Sequence, residues 1–110
     1  MSDDREATDW EDQVSVRDLT RDQRRLLVQI AWDSIHAGLE TGQPGIPEPG
    51  GLPEVVHRPG AAFVTLQKGG DLRGCVGSFE PRRPLYQDVA HNAFSAAFMD
   101  HRFPPLQGGE

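Results

Sequence analysis

The chain is poor in sulfur, in aromatic side chains and in long apolar runs. Its 110 residues include one cysteine, two methionines, two tryptophans and one tyrosine. A single cysteine forms no internal disulfide, and the N-terminus lacks the charged-then-apolar pattern of a secretion signal. Both point to a reducing, cytoplasmic setting. No run is long and apolar enough to span a bilayer, so no membrane segment is expected. Basic residues are outnumbered: 11 Lys and Arg stand against 17 Asp and Glu, for a net charge of −6. No face reads as strongly basic, which argues against a nucleic-acid footprint. A chain of this length suits one domain at most.

The charge that is present is uneven. Residues 1–20 hold seven acids (Asp3, Asp4, Glu6, Asp9, Glu11, Asp12 and Asp18) against Arg5 and Arg17. This composition predicts a solvated, disordered leader over residues 1–18, with Trp10 as its one residue suited to docking on a surface.

The remainder is an α+β pattern of two helices around a hairpin. A helix is expected from Thr20 to about Leu39, capped by Thr20 with Gln23 three positions on. Leu27, Ala31 and Ile35 form one stripe on it, with Val28, Trp32 and Leu39 beside them. The stretch from Glu40 to Gly60, punctuated by Pro44, Pro47, Pro49, Pro53 and Pro59, is a long loop suited to form one edge of a site. Ala61 to Leu66 reads as a strand, Lys68-Gly69-Gly70-Asp71 as a turn, and Leu72 to Phe79 as the return strand. A three-residue loop, Gly69 to Asp71, is the register the apolar pattern selects. It puts Val64, Leu66, Leu72, Gly74 and Val76 on one face, and Phe63, Thr65, Arg73, Cys75 and Gly77 on the other. A second helix runs from Pro84 to about Met99, with Ala90, Ala93, Ala96 and Ala97 as a close-packing surface and Leu85, Val89, Phe94 and Phe98 as bulk. Pro104-Pro105 prevents its continuation.

Cys75 is the chemical focus, in the run Leu72-Arg73-Gly74-Cys75-Val76-Gly77. Glycines on both sides leave room for another group to approach the sulfur. Arg73, two positions away, shares its strand face if the alternation is regular, and a cation beside a thiol favours the reactive thiolate. The bland alternatives are a buried cysteine acting as a small hydrophobe, a solvent-facing Arg73, and glycines that mark a bulge or a tight helix–sheet contact. Candidate bases are His36, His57, His91 and His101, none fixed near Cys75 by spacing. His57 precedes the first strand and is within plausible reach. His91 lies one helical turn from Asp88, and His101 suits a helix C-terminus. There is no paired-cysteine motif and no two-histidine helical spacing, and the glycines do not open a helix after a strand. No metal, nucleotide or other cofactor is therefore expected.

Several segments in order resemble the AMMECR domain family. They are Gly60-Ala61-Ala62-Phe63-Val64-Thr65-Leu66, the hexapeptide Leu72 to Gly77, Pro84-Leu85-Tyr86 with Asp88-Val89-Ala90 and Asn92-Ala93, and Asp100 with Arg102-Phe103-Pro104-Pro105-Leu106. The hexapeptide matches the family signature, with valine at position 76 where isoleucine is usual. The resemblance implies an α+β fold of two subdomains with the hexapeptide at a cleft between them. It covers residues 19–106 as a partial domain whose C-terminal half is missing, followed by a tail over 107–110. It also implies Memo-like and radical SAM proteins as pathway partners. Taken alone, one hairpin and two helices make a small core, and a two-stranded sheet is marginal in water, so an exposed apolar sheet edge or helix face is expected. Such an edge offers a route to a homodimer.

Two functions follow. The first is a cysteine-dependent enzyme acting on a small substrate in a cleft, with Cys75 and Arg73 as the chemical pair and Gly74, Gly77, Thr65 and His57 around the substrate. The second is a non-catalytic protein-binding or scaffold domain in which the hexapeptide shapes a docking groove.

Overall fold

A computed structural model describes residues 19–109. The acidic leader and Trp10 lie outside them. The order of elements is helix α1 (Arg21–Thr41), a short 3₁₀ helix (Glu54–His57), strands β1 (Phe63–Lys68) and β2 (Asp71–Gly77), and helix α2 (Leu85–Phe98). This is the α+β arrangement of two helices and an antiparallel hairpin. No helix among the described residues is long and apolar enough to cross a membrane.

Helix α1 starts where its local chemistry dictates. The Thr20 hydroxyl accepts from the Gln23 amide at 3.1 Å, and the Gln23 side chain accepts from the Thr20 amide at 2.9 Å, closing a capping box. The helix ends at Gly42, whose φ of 77° is the left-handed conformation glycine adopts freely. Its buried residues are Ile30, Ser34, Ile35 and Gly38. Val28 and Trp32 are about half exposed (58% and 47%), so the second stripe expected from the sequence faces outward. The inward face turns instead through Ser34 and Gly38, because α2 approaches too closely for large residues there. A Cβ on Gly38 would press into the rings of Phe94 and Phe98. Ser34 donates to the Ala90 carbonyl at 2.7 Å and accepts from the Gly45 amide at 3.2 Å, which satisfies a fully buried hydroxyl.

The alanines of α2 behave as its composition predicts: Ala90, Ala93, Ala96 and Ala97 are all buried. Two packing clusters lie along α2. Leu19, Ile30, Val56, Leu85, Tyr86, Val89 and Ala90 form one. Ile35, Ala93 and Ala97 form the other, joined by Val64 and Leu66 from β1 and by Leu106 from the returning C-terminal segment. The proline-rich loop contributes to the core through its 3₁₀ helix, where Val56 is completely buried.

The hairpin turns on two residues rather than three. Lys68 pairs with Asp71, and Gly69 and Gly70 have φ of 59° and 87°, the pair of positive values that a type I′ turn requires. A bulge then shifts the ladder between Leu66 and Gln67. Leu72 and Gly74 face consecutive residues of β1, with Arg73 inserted between them. Beyond the bulge the register is the expected one, with Leu66 opposite Gly74, Thr65 opposite Cys75, Val64 opposite Val76 and Phe63 opposite Gly77. Before it, Leu72 pairs with Gln67 and is 44% exposed, not on the core face.

Candidate functional site

Position 75 inherits its surroundings from the pleat. Val64 and Leu66 turn toward α2 and its alanines, so their neighbours Thr65 and Cys75 belong to the opposite face. Thr65 is exposed and Cys75 is half-buried with a free thiol. The Cys75 amide points away from β1, to the Asp100 carboxylate at 3.0 Å. Thr65 and Cys75 therefore form the non-hydrogen-bonded kind of antiparallel pair, whose side chains stand closest. The Thr65 hydroxyl lies 3.4 Å from the Cys75 Sγ accordingly.

Asp100 reaches Cys75 from just beyond the end of α2, and it organises the site. Its Oδ2 accepts both the Cys75 amide and Arg102 Nη2 (2.7 Å). Its Oδ1 accepts Arg102 Nε at 3.0 Å and the Arg102 amide at 3.2 Å. The Arg102 guanidinium, then the Cys75 amide, hold the Asp100 carboxyl far below the usual carboxylate range, against a smaller opposing effect of burial. Arg102 is raised in turn, mainly by its hydrogen bond to Asp100 and the attraction of that charge, against a smaller opposing effect of burial. Asp100 is turned inward, with 8% of its side chain exposed, and Arg102 outward, with 58%. The guanidinium also lies over the Phe103 ring, 5.4 Å from its centroid.

The two flanking glycines have packing roles. A Cβ on Gly74 would overlap the Ala96 carbonyl oxygen, so glycine here lets β2 lie directly on α2. A Cβ on Gly77 would overlap the Phe63 ring, which covers that glycine from across the hairpin. Phe63 meets Phe79 edge-to-face at 5.5 Å, and both are well exposed.

The histidines are dispersed. His57 packs edge-on against Tyr86, ring centroids 5.4 Å apart, in the first turn of α2. Gly74 touches α2 at Ala96, ten residues further along, or about 15 Å of helical rise. His57 and Cys75 thus sit toward opposite ends of that helix. His36 lies against Trp32 on α1, and His101 is exposed beside Asp100. Asp88 makes no bond to His91, because its oxygens are engaged elsewhere. Oδ2 accepts the Ala62 amide (2.7 Å) and Asn92 Nδ2 (3.1 Å), and Oδ1 accepts the Ser78 hydroxyl (2.8 Å) and Arg83 Nε (2.9 Å). Asn92 also donates to the Ala62 carbonyl at 2.9 Å. This buried network fastens the base of the hairpin to α2. His91 is pushed below its ordinary value by burial and by Arg83, with Asp88 opposing.

Of the residues singled out in the sequence, the structure brings Thr65 to Cys75, uses Gly74 and Gly77 for contact, inserts Arg73 at a bulge, and takes His57 elsewhere. Asp100 and Arg102 are the site residues that spacing missed. Twenty-five residues separate Asp100 from Cys75, and only the packing of α2 on the hairpin joins them. Among the described residues, no group of three or more His, Cys, Asp or Glu side chains is placed to hold a metal ion.

A cysteine on the open face of a hairpin, tied through its amide to the segment after a packed helix, defines an α+β domain with a thiol-bearing face. The chain belongs to the AMMECR1 family, whose model matches residues 28–110. It is 44% identical over 92 residues to a protein of Methanothermobacter thermautotrophicus, covering 84% of this chain and 47% of that one. A protein of Sulfolobus acidocaldarius is 39% identical over 101 residues, covering 88% and 44%. The crystal structure of the uncharacterised protein PH0010 from Pyrococcus horikoshii shares the fold with a TM-score of 0.75 and 31% identity, over 81% of this chain and 46% of that one. The chain therefore spans about half the length of these relatives.

Proposed function

We propose that Cys75 is the nucleophile of a small-substrate enzyme site on the open face of the hairpin. The observation that carries this reading is the shared carboxylate oxygen, Asp100 Oδ2, which fixes the Cys75 backbone and draws the Arg102 guanidinium to it. A cation near a thiol favours its ionised form, the form that attacks. Arg102 adds a second cation to the Arg73 expected beside the thiol, and the Thr65 hydroxyl is close enough to donate to the sulfur. In the reaction, Sγ would form a bond to an electrophilic carbon while the leaving group departs with its electron pair, the thiol proton passing to solvent.

Because Cys75 is the chain's single thiol, alkylation reports on it alone. The rate with neutral iodoacetamide at pH 7 is compared with that of a peptide of residues 72–77, which retains Arg73 but not the fold. The folded chain should react faster. A rate equal to the peptide's or slower would overturn the proposal.

The exposed Phe63–Phe79 pair favours a second reading, a non-catalytic docking domain. There, Cys75→Ser leaves partner binding intact while Phe79→Ala abolishes it. Bulky changes at Gly74 do not separate the two readings, since they strike the helix contact first.

A further inference from the structure

We infer that Arg102 is the specificity-determining residue of the Cys75 site and that the substrates taken there carry an oxyanion, carboxylate or phosphoryl, beside the electrophilic centre. This rests on the nucleophile reading of Cys75 above.

Three observations support it. A guanidinium has five N–H donors, and Arg102 uses Nε and one Nη2 hydrogen on Asp100. Three donors remain, including the coplanar pair on the end of the fork that grips two oxygens of one anion. The neutralising carboxylate is turned inward and saturated by four donors. The guanidinium is turned outward, so an incoming group meets the cation first. Finally, a single carboxylate oxygen separates Arg102 Nη2 from the Cys75 amide. An anion held by the free donors would thus stand close to the residue whose sulfur reacts. Asp100 orients the guanidinium in advance, which lowers the entropy lost on binding.

The test compares two probes of nearly equal size with the same leaving group, iodoacetate and iodoacetamide. In each, Sγ bonds to the methylene carbon and iodide leaves with the electron pair, the thiol proton going to buffer. The measured quantity is the ratio of the two rates at Cys75, against the same ratio for the 72–77 peptide. The chain's net charge of −6 repels anions overall, so a raised ratio reports a local cation. The expected ratio exceeds the peptide's at low salt, by less than the roughly fivefold that one uncompensated charge about 4 Å away in water would give, since Asp100 offsets part of the attraction. It should fall with added NaCl. Arg102→Gln should bring it to the peptide's value or below and Arg102→Lys should retain part of the excess, with far-UV circular dichroism confirming that each variant folds. Protection against iodoacetamide by inorganic phosphate or by acetate then distinguishes the two oxyanions. An unchanged ratio in Arg102→Gln, with the wild-type chain still faster toward iodoacetamide than the peptide, overturns this inference alone. Iodoacetamide no faster than with the peptide removes the nucleophile reading beneath it.

Discussion

Asp88 gives the sharpest stability test, because its carboxylate is 2% exposed and accepts from four groups in three segments. Asp88→Ala leaves Arg83 able to regain water, since that side chain is 35% exposed. The ion pair is therefore worth a surface value, under about 1 kcal/mol. The Ala62 amide and Asn92 Nδ2 lose a charged acceptor, at about 1.5–3 kcal/mol for each such bond. Ser78 can still accept from Asn92, at 3.0 Å, and adds little. The sum is about 3–7 kcal/mol. With a urea slope of about 1 kcal/mol per molar for a small domain, the unfolding midpoint falls by at least about 3 M, or the chain no longer folds. Asp88→Asn retains an acceptor for the Ala62 amide and should lose roughly half as much. Urea unfolding followed by circular dichroism, with hydrogen exchange at the Ala62 amide, makes the measurement. A loss under about 1 kcal/mol in Asp88→Ala, with Ala62 protection unchanged, refutes the reasoning.

Gly74→Ala should destabilise by about 1–3 kcal/mol through overpacking against the Ala96 carbonyl, whereas Gly50→Ala, with open space and an ordinary φ, should be silent in the same unfolding assay. Thr20→Ala removes the capping box and should cost about 1 kcal/mol, visible as faster amide exchange in the first turn of α1. His91 is lowered in the fold from its ordinary 6.5, so protonation favours the unfolded chain. Its contribution is present above pH 6.5 and is lost as pH falls through the lowered value. Between pH 7 and 5 the wild type should lose more stability than His91→Gln, as read from urea midpoints.

The sequence by itself determined what neighbours a few residues apart can settle. The Thr20–Gln23 box, the turn somewhere within Lys68 to Asp71, the alanine surface of α2 and the stop before Pro104 are local chemistry, and each has its structural counterpart, though the turn closes on two residues and not the expected three. The two-residue period also placed Thr65 with Cys75, since the ladder regains its register after the bulge. Tertiary structure decided the rest. The bulge at Arg73 broke the alternation that would have put Leu72 on the core face, and a bulge depends on how two strands accommodate each other and the helix beneath. The close approach of α1 to α2 turned Ser34 and Gly38 inward and left Trp32 outside, against their hydrophobic rank. Asp88 and Asp100 look like ordinary surface acids in a helix and at its end. Their partners (Ala62, Ser78 and Arg83 for one, Cys75 for the other) become adjacent only when α2 lies along the hairpin. Long-range hydrogen bonds have no period in the chain, so the residues that shape the thiol's surroundings emerge only from the packed molecule.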